Sequence, residues 1–213
     1  MSWNDCLYAY AKKHGGDYWG RMLDAWDGIL RMEYRGEPVL IQALATGAGR
    51  YEPFYTFSAA FQITLERHFS CKIAPESMMV QGIKQITTRM SLSDGYDCPE
   101  IAAKRAIKTD DKAFMKRILS SPELRLDLLE LPDFGVEIAP VALDSQYHQV
   151  CAAVTQSKAN NVLPFAGTEV PLFHNGYQPQ IPDGFAPALD RLLQLAWNAR
   201  KAATAWRMEP PAP

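Results

Sequence analysis

The best cluster of acids beside a bend is Asp94-Gly95-Tyr96-Asp97, within SLSDGYDCPE. A carboxylate pair held at a turn can bind a divalent cation or divide acid and base roles. A calcium loop needs further oxygen ligands at regular spacing, and none follow here. Aspartate and glycine are also what a bare turn requires. The sequence therefore reads Asp94 and Asp97 first as turn formers. The alternative is a loop-built site of a small hydrolase-like enzyme, completed by a distant histidine.

A second pairing is His68 with Cys71. A thiol nucleophile needs a base within hydrogen-bond reach. On a continuous strand, residues three apart face opposite sides, so these two meet only if a turn intervenes. Cys71 also keeps phase with Phe69 and Ile73, where a core thiol is expected. Gly47-Ala48-Gly49-Arg50 has the composition of a phosphate cradle, which needs a helix N-terminus directly after it. Pro53 and a strand pattern follow instead. His14, His148 and His174 are far apart, with no zinc-binding spacing among them. No Gly-x-Ser-x-Gly elbow is present. The sequence assigns no catalytic, cofactor-binding or metal-ligating residue and implies no cofactor.

The elements that would position these residues are set by one stretch, Tyr55 to Leu65. Tyr55, Phe57, Ala59, Phe61, Ile63 and Leu65 alternate with Thr56, Ser58, Ala60, Gln62 and Thr64. A period of two puts the apolar set on one face of a strand. One buried and one wetter face argues for an antiparallel sheet. The wetter face carries no ionisable group before Glu66, so the strand reads as scaffold.

Around it, Ser2 to Lys13 reads as a helix stopped by Gly15-Gly16, and Asp17 as the cap of a second helix, Tyr18 to Trp26. Ile29–Tyr34 and Val39–Ala45 flank a turn near Gly36, with Pro38 at a strand start or edge. Phe69, Cys71 and Ile73 form a return strand that Pro75 stops. Glu76 to Met90 fits helix or strand equally. Ile101 to Lys108 reads as a strand whose alternation Arg105 breaks. Asp110 caps a helix to about Leu119, and Ser121-Pro122-Glu123 starts another, with Leu124, Leu128 and Leu131 as its stripe. Short β-like runs follow at Val136–Ile138, Val141–Leu143 and Gln149–Val154. Residues 156–187 are rich in Pro and Gly, and a final helix runs from Pro187 to about Met208. On it Trp197 and Trp206 lie nine residues apart, about half a turn out of register, so Trp206 is the better external contact.

This order lacks β-α-β alternation, which argues against a doubly wound fold. It predicts one α+β domain over residues 1–208: a largely antiparallel sheet, helices at both chain ends (1–26 and 187–208), a helical pair near 110–131 and a disordered tail, 209–213.

From Leu92 to Leu131 the chain resembles an uncharacterised bacterial and archaeal domain family of unknown function. Its members carry a Thr-Gly-Asp-x-x-Phe-Asp turn, a short strand and a helix ending in Leu-Leu. Here Ser93-Asp94-Gly95-Tyr96-Asp97, Ile101–Lys108 and the helices through Leu128-Leu129 correspond. Asp-Gly replaces Gly-Asp, Tyr replaces Phe, and the spacing differs. In outline the likeness extends from Leu30 to Arg207. It implies a bacterial α+β module and transfers no activity.

Net charge is −2 with a pI of about 6.1, so no basic excess points to nucleic acid or an anionic membrane. The first residues lack the layout of a secretory signal, and no run of about 18 apolar residues would span a bilayer. Cys6, Cys71, Cys98 and Cys151 are scattered, which predicts reduced thiols in a cytoplasm. The expectation is a non-catalytic binding or assembly module with a protein partner or self-association, and no nucleic acid or membrane. It rests on the lack of a catalytic constellation, the aromatic chain ends and the Pro/Gly-rich segment.

Overall fold

The computed structural model describes residues 3–19, 27–46, 54–75, 96–141, 147–158 and 184–208. Gly47-Ala48-Gly49-Arg50, Glu76 to Met90, Asp94, His174, the tail and all of 156–187 between its first and last few residues lie outside them. The protein is α+β, with an antiparallel eight-stranded sheet and five helices among the described residues. The strands are β1 (Asp17–Trp19), β2 (Asp27–Tyr34), β3 (Glu37–Thr46) and β4 (Phe54–Thr64). They continue with β5 (Cys71–Pro75), β6 (Arg105–Thr109), β7 (Phe134–Pro140) and β8 (His148–Lys158). They hydrogen-bond in the order β1-β2-β3-β4-β8-β7-β5-β6. Two compact units are formed, Met1–Ala60 with Val154–Leu193, and Phe61–Ala153 with Gln194–Pro213.

In the first unit, helix α1 (Trp3–His14) ends where the sequence places its stop. Gly15 takes a positive φ and its N–H reaches back to the Ala11 carbonyl at 2.8 Å. The expected helix from Tyr18 to Trp26 is corrected over its described part. Asp17 to Trp19 is a strand pairing with Ile29 to Arg31, so pairing overrides the helical spacing of the aromatics. Arg35 and Gly36 both take positive φ, which makes a two-residue turn joining β2 to β3. Pro38 sits at the second position of β3, at a strand start as expected. Leu7 and Tyr10 of α1 are buried, as are Leu30 and Ile41, and α1 packs on β1 and β2. The Phe185 ring meets Tyr10 and Phe57 edge-on, at centroid distances of 6.3 and 6.2 Å.

The alternation of the central strand is confirmed. Phe57 and Ala59 in the first unit, and Phe61, Ile63 and Leu65 in the second, are buried. Thr56, Ser58 and Ala60 are partly exposed, and Gln62 and Thr64 are exposed.

In the second unit, β5 joins the core but pairs with β6 and β7 instead of returning along β4. Ile101 to Lys108 is not one strand. Pro99 opens a short helix, α2 (Pro99–Ala102), and β6 starts only at Arg105. The Cys98 carbonyl takes N–H bonds from Ile101 and Ala102, both at 3.1 Å, and Pro99 has the φ a first helical residue needs. Helix α3 (Lys112–Ile118) is capped by Asp111 and not Asp110, since the Asp111 carboxylate accepts from Phe114 N–H at 2.9 Å. Helix α4 (Pro122–Glu130) starts as predicted on Ser121, with Leu124, Leu128 and Leu131 buried.

The last helix, α5 (Phe185–Thr204), begins two residues before the expected Pro187 and ends four before Met208. Pro187 falls in its first turn, where the missing N–H costs no helical bond. In the first unit's part Leu189, Leu192 and Leu193 are buried, and in the second unit's part Ala196 and Ala203. Trp197 in the second unit packs edge-on to Phe61 at 5.7 Å.

Candidate functional site

Asp97 takes a left-handed backbone (φ 53°), a conformation that aspartate tolerates in turns. Its exposed carboxylate stands 3.4 Å from Lys116 Nζ, and its carbonyl accepts from Arg125 Nη2 at 3.3 Å. These bonds tie the turn to α3 and α4. Asp94 lies outside the described residues, so the pairing of the two acids is not placed.

His68 and Cys71 are held apart. His68 is exposed, with its ring edge-on to Tyr147 at 5.1 Å, while Cys71 points into the core. Burial pushes the Cys71 thiol up to about 12, helped by the negative charges of Asp110 and Glu137. Burial is also the main cause that raises Cys98 and Cys151. A thiolate is the nucleophilic form, so these three are core thiols at neutral pH. His14 lies in the first unit, stacked on Tyr10 at 4.2 Å, and His148 in the second. No group of three or more metal-ligating side chains occurs among the described residues.

The polar groups of the second unit converge on the turn after β4, where they fasten the chain. The buried Gln149 side chain donates to the Arg67 carbonyl at 2.7 Å and accepts from Phe69 N–H at 3.2 Å. Arg67 is paired with Asp111. Asp110 accepts from Ser70 N–H at 2.9 Å. Glu66 accepts from Met208 N–H at 2.9 Å, and Arg117 donates to the Arg207 carbonyl at 3.0 Å. All but the Arg117 bond link the turn after β4 to another element, and that one ties α3 to the chain after α5, which is the work of structural anchors. Tyr147 beside them has a left-handed backbone (φ 58°), unusual for so bulky a residue.

The first unit exposes a different chemistry on the face of its sheet turned away from α1. Residues directly opposite in antiparallel strands share a face. Trp19, Ile29 and Gln42 form one cross-strand row, Asp17, Arg31 and Leu40 the next, and Glu33 with Pro38 a third. Trp19 is 52% exposed and Leu40 48%, with Ile29 half-buried between them. The three apolar side chains occupy neighbouring positions, Leu40 being diagonal to Ile29. Isolated exposed apolar residues are ordinary, but a contiguous group rimmed by charge has the make-up of an interface. The Trp206 ring, 47% exposed beyond α5 in the second unit, bears out its expected outward position.

Sequence reasoning missed this face because it misread Trp19 as helical. The apolar residues of β3 also fall on both phases of the alternation, so their exposure is not readable. It missed the role of Arg105 for the opposite reason, since a charge at a core phase reads as an interruption. Neither a scan against protein-family models nor a search of curated proteins matched this chain.

Proposed function

We propose that this chain is a non-catalytic binding or assembly module that recognises a protein partner through the solvent-facing side of β1–β3. The observation that supports this is the contiguous exposure of Trp19, Ile29 and Leu40. Tryptophan and leucine on a rigid sheet present large apolar area with little conformational entropy to lose on binding. Asp17, Arg31 and Glu33 flank them as a charged rim. The kinship with the bacterial and archaeal domain family belongs to the same proposal. So does a reducing cytoplasm, which suits four cysteines that are all buried thiols. No helix among the described residues is long and apolar enough to cross a membrane.

The test is a photo-crosslinking amino acid at position 40 of the full chain, expressed in its native cell. A discrete adduct, absent when the same group replaces the exposed Gln62, is the expected outcome. Smearing or no adduct at position 40 overturns the reading.

A further inference from the structure

We draw no further inference here: the strongest candidate, the exposed apolar patch of Val141, Tyr147 and Val150 at the end of the sheet where β7 and β8 come together in the second unit, carries none because nothing in the structure shows what covers it.

Discussion

The guanidinium of Arg105 donates to the backbone carbonyl of Leu131 at 2.6 Å, just beyond the end of α4. The same group donates to the carbonyls of Leu128 and Phe134. Helix C-termini leave carbonyls without intrahelical partners, and a buried end needs donors from elsewhere. Arg105 is only 5% exposed and supplies them from β6, so a cation at a core position closes a helix. Burial lowers its pKa, yet a guanidinium stays charged at any ordinary pH. Arg105→Leu keeps the apolar stem and leaves those acceptors without it. It should cost about 3 kcal/mol, measured by urea unfolding. A loss below about 1 kcal/mol would mean that water replaces the guanidinium without penalty.

Asp110 and Asp111 separate two roles that adjacent carboxylates can play. Asp111 caps α3 and pairs with Arg67, whereas the Asp110 carboxylate accepts from Ser70 N–H in the neighbouring turn. Asp111→Ala should therefore destabilise by about 2 kcal/mol, the upper end for a lost cap. Asp110→Ala should cost about half of that, since a surface hydrogen bond is worth less. Reversal of this order in thermal unfolding would restore Asp110 as the cap.

The parts of this fold that were legible are those where one physical signal acts alone. Tyr55 to Leu65 has a strict period of two, and Ser121-Pro122-Glu123 has a cap, a proline and an acid in sequence. Both behave as read. Asp17 to Trp19 failed because its aromatics fit a helix locally while the partner strand decides the outcome. Ile101 to Lys108 failed because Pro99 starts a helix of one turn, too short to show periodicity. The candidate face was hidden for a related reason. Exposure of Leu40 depends on which face of the sheet receives α1, which packs on β1 and β2, and no local pattern in β3 carries this information.

Gly16 and Gly36 both have positive φ, yet they should respond differently to a side chain. A Cβ at Gly36 would meet nothing within 4 Å, so only the backbone strain counts. Gly36→Ala should cost about 1 kcal/mol. A Cβ at Gly16 would sit 2.7 Å from the Arg31 carbonyl oxygen and 2.9 Å from Leu30 Cδ1. The first is strand backbone, which cannot move without disturbing the β1–β2 pairing. Gly16→Ala should cost about 3 kcal/mol. Equal losses in chemical denaturation would show that β1 shifts freely against β2, and would weaken the face built on Trp19.

The Asp127 carboxyl ties α4 to α5 in the second unit, accepting from Asn198 Nδ2 at 2.7 Å. Burial raises its pKa above the ordinary 3.8, and the charges of Glu130 and Glu123 add to this, while the Asn198 bond opposes them. A raised native value means that the folded chain holds this proton after the unfolded chain has released it. The native state then binds more protons between 3.8 and the raised value, so this group's contribution to stability falls as pH rises through that window. Above the window the loss is complete and constant. Asp127→Asn removes the titration and can still accept from Asn198 through its amide oxygen. Stability of the variant relative to wild type should therefore rise from acid pH to neutrality and then level off. Urea unfolding of both proteins across this range gives the difference curve. A curve that slopes the other way would mean that the Asn198 bond outweighs burial and holds the carboxylate in its ionised form.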